Sequence, residues 1–171
     1  MNIVFIGMRG SGKTTVGRKI AQKLKRKFVD TDDKIIKKEQ TTITTIVKNK
    51  GWDYFRRQES AAIQEISKQN MLVIATGGGV VERQENIQML KRNSVIFYLE
   101  AKLETLMNRN KNYNDRPLVT NERTFYKDME TLLKQRQRLY RKKADERVLT
   151  DKLNIDDVVT VILEKLKTYE H

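Results

Sequence analysis

Two kinds of segment alternate along the chain. Short, mainly apolar runs cover residues 2–6 (NIVFI), 28–30, 71–75 (MLVIA), 94–99 (SVIFYL) and 147–149, with the length and composition of buried strands. Between them, apolar residues recur at three- and four-residue intervals, predicting helices over 12–27, 33–38, 43–50, 54–69, 83–91, 103–109, 123–143 and 155–166. Ile20 and Leu24 fall on the inner face of the first helix; Phe55, Ala62, Ile63 and Ile66 fall on that of the fourth. Thr42 is placed to cap a helix that Gly51 stops. Strands alternating with helices, and apolar on both faces, predict a three-layer α/β/α architecture around a five-stranded parallel sheet. Ligands of such sheets bind beyond the carboxyl ends of the strands. Two glycine clusters, Asp30 with Asp32, and the loop after Glu100 all fall at those ends.

The first cluster carries the sharpest signal. Gly7-Met8-Arg9-Gly10-Ser11-Gly12-Lys13-Thr14 matches G-x-x-x-x-G-K-[ST], the phosphate-binding loop, and it lies between an apolar strand and an amphipathic helix as that loop requires. Its backbone N–H groups converge on phosphate at a helix N-terminus. Lys13 is expected to reach the β- and γ-phosphates and the Thr14 hydroxyl to ligate Mg²⁺. Gly10, Ser11, Gly12, Lys13, Thr14 and Thr15 are therefore the expected nucleotide-binding positions.

Composition narrows the remaining chemistry. The 171 residues include eight glycines, one proline, one histidine and no cysteine. Disulfide scaffolds, thiol nucleophiles and cysteine-based metal sites are excluded, and the histidine, His171, is the last residue, which excludes Ser-His-Asp chemistry. No apolar run approaches the ~20 residues of a membrane span, so a reduced, cytoplasmic protein without a membrane partner is expected. The formal charge of +13 could mark a nucleic-acid surface. The dense basic stretches 18–27 and 134–147 hold a single aromatic between them, Tyr140, and read as solvated helix faces, so no nucleic-acid partner is expected.

Further residues suit phosphoryl transfer. Asp30 and Asp32, two apart at a strand end, point to one side if the strand continues, giving carboxylates for the metal and for an attacking hydroxyl. Arg56 and Glu59 are three apart on a helix and can pair. Gly77, Gly78 and Gly79 would bare backbone amides to a small substrate. The polar segment 110–122, with Arg116 before Pro117, has the length of a mobile lid that could deliver an arginine to the transferred phosphoryl group.

In order along the whole chain, GMRGSGKTT, DTD at 30–32, FRRQE at 55–59, GGG at 77–79, DRPL at 115–118 and RQRLY at 136–140 resemble the shikimate kinase family, which has the nucleoside-monophosphate-kinase-like fold. The resemblance implies one domain over 1–171 with a lid near 110–122. The implied reaction transfers the γ-phosphoryl group of ATP, with Mg²⁺, to the 3-hydroxyl of shikimate. It further implies that Asp30 holds Mg²⁺ through water and that Asp32 bonds the substrate hydroxyl as its base. Arg56 and Arg136 would grip the shikimate carboxylate, with Glu59 orienting Arg56, and Gly78 with Gly79 would contact the ring hydroxyls. Arg116 would lie on the ATP phosphates, and Arg109 and Lys152 beside adenine. A monomer is expected. The rival readings are a kinase of the same fold acting on another small hydroxy acid, such as gluconate, and a basic nucleotide-switched nucleic-acid binder.

Overall fold

Five strands form one all-parallel sheet in the order β2-β3-β1-β4-β5. A computed structural model describes residues 1–111 and 117–169. The strands are β1 (Asn2–Ile6), β2 (Lys27–Asp30), β3 (Leu72–Ala75), β4 (Ser94–Glu100) and β5 (Glu146–Leu149). They are linked by helices α1 (Lys13–Leu24), α2 (Thr31–Glu39), α3 (Ile43–Ile66), α4 (Gln84–Lys91), α5 (Leu103–Arg109), α6 (Phe125–Lys143) and α7 (Ile155–Leu166). The expected strands and the three-layer order are therefore observed.

Alternation along the strands explains the layers. In β1, Ile3 and Phe5 face α1 and α7 with Val16, Ile20, Val159 and Ile162, whereas Val4 and Ile6 face α3–α6 with Ile63, Ile66, Leu132 and Tyr140. Because β1, β3 and β4 are covered on both sides, nearly every residue in them is buried. α1 can lie close to the sheet because a Cβ at Gly17 would meet the Phe28 ring at 2.6 Å. That glycine serves packing.

Two local features differ from the expected pattern, at α2 and after β3, while the expected cap at Thr42 and stop at Gly51 are observed. α2 begins at Thr31, directly after β2, with Asp30 as its N-cap accepting from Asp32 N–H at 3.0 Å. At Gly51 the α3 backbone leaves helical geometry (φ 79, ψ 168), so Thr42 caps a first segment and Gly51 turns the chain into a second. From the second glycine of the triplet the chain forms a 3₁₀ turn, Gly78–Glu82, where no element was expected. No helix among the described residues is long and apolar enough to cross a membrane.

Candidate active site

Two cavities lie at the carboxyl ends of the strands. The larger, about 900 Å³, is bounded by the phosphate loop, Asp30, Arg109, Thr150 and the turn leading into α7. The smaller is bounded by Trp52, Arg56, Gly79, Pro117, Phe125 and Arg136. Arg9, Asp32, Gly77 and Gly78 line both and form the shared wall.

In the larger cavity the phosphate loop owes its path to glycine. Gly10 and Gly12 hold φ of 81° and 95°, which side chains strain to adopt, and this turns successive amides inward ahead of α1. The first turn of α1 carries no acidic side chain, so its positive end is left to an anion. Lys13 is buried at the loop, its Nζ donating to the carbonyls of Gly7 and Met8 at 2.8 Å each. Ser11 and Thr15 line the same cavity. Arg109 donates to Thr150 Oγ1 at 3.0 Å and to the Thr150 carbonyl at 2.8 Å, which holds it on the wall. Lys152 is exposed in the turn before α7, and Leu153, Asn154 and Ile155, not Lys152, line the cavity there.

Thr14 and Asp30 lie at the same end. The Thr14 hydroxyl donates to Asp30 Oδ2 at 2.8 Å. Burial, then the neighbouring charge of Asp32, raises the Asp30 carboxyl above its ordinary value, and the Thr14 bond opposes this. A hydroxyl and a carboxylate with a raised pKa form a hard oxygen pair whose charge a divalent cation would offset. That donor set fits Mg²⁺, which takes few protein oxygens and completes its shell with phosphate and water.

The expectation that Asp30 and Asp32 share one side of a continuing strand is corrected. The strand ends at Asp30, and Asp32 reaches the shared wall from the first turn of α2. The outcome for the cavity is the same, but helix geometry, not the strand's two-residue period, sets it.

In the smaller cavity, Arg56 from α3 and Arg136 from α6 converge. Arg56 Nη1 donates to Glu59 Oε2 at 3.0 Å, and Glu59 is wholly buried. Burial raises the Glu59 carboxyl, and the Arg56 charge pulls it back. The glycine triplet makes this possible: a Cβ on Gly77 would lie 2.5 Å from Glu59 Oε1, and one on Gly79 would fall inside the Arg56 guanidinium. Gly78 has ordinary space, and its carbonyl accepts from the Tyr140 hydroxyl. Two of the three glycines are thus explained by the side chains pressed against them.

Several residues on or behind this wall were not singled out from the sequence. Trp52 donates through Nε1 to the Leu118 carbonyl at 3.1 Å. Asp128, buried in the first turn of α6, accepts from the Val119 and Thr120 N–H groups at 3.1 and 2.7 Å. These two residues fix the segment carrying Pro117 over the cavity. Glu82 contacts both arginines. The only available sequence signal was the lone tryptophan directly after an isolated glycine. Arg116, and with it residues 112–116 of the expected lid, lies outside the described residues.

A phosphate loop on a parallel sheet, a carboxylate on the wall between two cavities, and paired arginines in the second cavity define an ATP-dependent small-molecule kinase of the P-loop class. Comparison with known proteins narrows this. Residues 9–167 match the family model described as shikimate kinase. Shikimate kinase of Pelotomaculum thermopropionicum is 38% identical over 170 residues, covering 99% of this chain and 98% of that protein. The Sulfurihydrogenibium enzyme is 39% identical over 166 residues, covering 97% and 98%. Among solved structures, shikimate kinase from Acinetobacter baumannii in complex with shikimate superposes with a TM-score of 0.93 at 33% identity, over 99% of this chain and 94% of that one. A deoxyadenosine kinase from M. mycoides, at 17% identity and a TM-score of 0.62, shares the fold alone. The chain belongs to the shikimate kinase family.

Proposed function

We propose that the two cavities bind ATP and shikimate respectively, and that the γ-phosphoryl group passes to the 3-hydroxyl of shikimate at their shared wall. The observation that carries this is the position of Asp32, which lines both cavities, with the phosphate loop in one and two arginines in the other. An anionic hydroxy acid suits the second cavity, because a guanidinium fork matches a carboxylate.

In this reading Arg56 and Arg136 hold the shikimate carboxylate, Glu59 orients Arg56, and the backbone at Gly78 and Gly79 meets the ring hydroxyls. Asp32 accepts the proton of the 3-hydroxyl as its oxygen attacks the γ-phosphorus in line. The bond to the β–γ bridging oxygen breaks, and ADP leaves with that electron pair. Loop amides from Gly10 to Thr15 cradle the phosphates, while Lys13 and Arg116 offset charge on the transferred group. Arg109, on the cavity wall, serves the adenine side. Thr14 and Asp30 would hold Mg²⁺, which would supply neutralisation of phosphate charge. Little covalent work falls to the protein beyond positioning and proton acceptance.

We also propose that residues 1–171 form one domain with a lid near 110–122, working in the cytoplasm as a monomer without nucleic acid.

The test is ADP release with ATP, Mg²⁺ and shikimate in a coupled assay. Wild type should turn over, and Asp32→Asn should lose ~100-fold or more in kcat, the usual worth of a positioned base, while keeping its thermal midpoint. Turnover with another hydroxy acid but none with shikimate would overturn the substrate. Wild-type rates in Asp32→Asn would overturn the base.

A further inference from the structure

Arg56 and Arg136 are carried by separate helices, yet their guanidinium groups approach one another beneath the smaller cavity. Two cations brought together in a partly dry site repel unless an anion lies between them. The side chain between them is Glu82, the last residue of the 3₁₀ turn. Its Oε1 accepts from Arg136 Nε at 2.8 Å and lies 2.5 Å from Arg136 Nη2, while its Oε2 lies 3.3 Å from Arg56 Nε. One carboxylate thus spans both arginines on their Nε sides.

Its direction of approach determines what it does. Arg56 and Arg136 line the cavity, whereas neither Glu82 nor Glu59 does. Glu82 therefore braces the pair from behind and does not stand where a ligand's carboxylate would bind. Nη2 of Arg136 is buried and already paired with Glu82 Oε1, so the brace holds this edge of the guanidinium away from the cavity. The turn bearing Glu82 is itself fixed to α6: Tyr140 donates to the Gly78 carbonyl, and Lys143 Nζ to that of Val81 at 2.8 Å. Glu82 thereby ties the β3–α4 connection, α3 and α6 to a single point.

We infer that Glu82 is a positioning residue for the acceptor substrate, a brace that holds Arg56 and Arg136 converged before the acid arrives. Fixing both forks in advance removes ordering entropy from binding and so lowers the KM for a carboxylate-bearing substrate. ATP binds in the other cavity and should be indifferent to it. The inference rests on the proposed substrate reading.

The experiment compares wild type, Glu82→Gln, Arg136→Lys and the double variant. Gln is isosteric and uncharged, and the Glu82 side chain is 36% exposed, so the fold should tolerate it. The expected result for Glu82→Gln is a three- to ten-fold higher KM for shikimate, with kcat and the KM for ATP within two-fold of wild type and an unchanged thermal midpoint. A ring triol lacking the carboxylate should be turned over equally by wild type and Glu82→Gln. Lysine at 136 has no Nε fork to brace, so adding Glu82→Gln to Arg136→Lys should raise the KM by less than it does alone.

Trp52, the sole tryptophan, lines the cavity, and its fluorescence gives a Kd for shikimate independent of turnover. An unchanged KM and Kd in Glu82→Gln, tighter binding, an equal loss in the ATP KM, or strict additivity with Arg136→Lys would overturn the brace. A wild-type protein that neither binds nor phosphorylates shikimate would instead overturn the substrate reading beneath it.

Discussion

Close approach governs the site at the scale of single residues. Three consecutive glycines could be read as backbone laid open to substrate, but the neighbours of Gly77 and Gly79 are the Glu59 carboxylate and the Arg56 guanidinium. A methyl group at 79 must displace Arg56, because the backbone beneath it is pinned by the 3₁₀ turn. A methyl group at 78 meets only ordinary contacts, the nearest being Arg136 Nη1 and the Gly7 carbonyl at 3.5 Å. Gly79→Ala should therefore raise the KM for shikimate ten-fold or more and cost ~1–3 kcal/mol through overpacking. That cost lowers the thermal midpoint by about 2–4 °C per kcal/mol for a chain of this size. Gly78→Ala should stay within about three-fold of wild type in KM, since overpacking costs follow from contacts that it lacks. Steady-state kinetics with a melting curve on each variant checks both, and equal effects at the two positions would refute the argument.

Among the elements, α3 joins two tasks. Its first segment packs on α2 through Ile43 and Ile46, and its second delivers Trp52, Phe55 and Arg56 to the cavity, with Glu59 behind Arg56. The redirection occurs at Gly51, whose φ of 79° and ψ of 168° lie in a region open essentially to glycine alone. No atom lies within 4 Å of a Cβ there, so the cost of Gly51→Ala is backbone strain, not collision. The expected loss is ~1–3 kcal/mol of stability, read as a lower midpoint in urea with an unchanged m-value. An alanine variant as stable as wild type would show that the break is not fixed by this residue.

The same helix shows what a sequence reveals and what it withholds. Period and punctuation exposed both helical segments, the stop at Gly51 and the buried face through Phe55, Ala62, Ile63 and Ile66. The phosphate loop was legible because its ligand-binding groups are consecutive backbone amides. The pairing of Arg56 with Glu59 was legible because it lies within one helix turn. Glu82 was not, since its partners belong to α3 and α6 and no local spacing links them. The Trp52 and Asp128 anchors share that origin, each holding a loop brought near only by the fold. The overlap of β2 with α2 was hidden because one residue, Asp30, both ends the strand and caps the helix.

For the molecule as a whole, the open question is the charge of +13, of which the two cavities use only a few cations. Many of the others are locally balanced, as in Lys19 with Asp156 at 2.6 Å and Lys34 with Glu65 at 2.6 Å, and exposed pairs of this kind contribute little. Lys23 on α1 and Lys27 at the start of β2 are exposed and line neither cavity. Lys27 has a further task, because β2 is an edge strand and a charge there discourages pairing with another chain. Glutamate at that position keeps the edge charged while reversing its sign. At physiological salt the screening length is about 8 Å, so charges on this face should add little to the field that meets an anion at the site. The variant carrying Lys23→Glu and Lys27→Glu is therefore expected to keep kcat/KM for ATP and shikimate within about two-fold of wild type at 0.15 M salt. It should also elute from a polyanion column at lower salt, since fewer cations remain to displace counterions. A ten-fold loss of kcat/KM that added salt abolished in wild type as well would place this face in the attraction of substrate, and the basic excess would then belong to function.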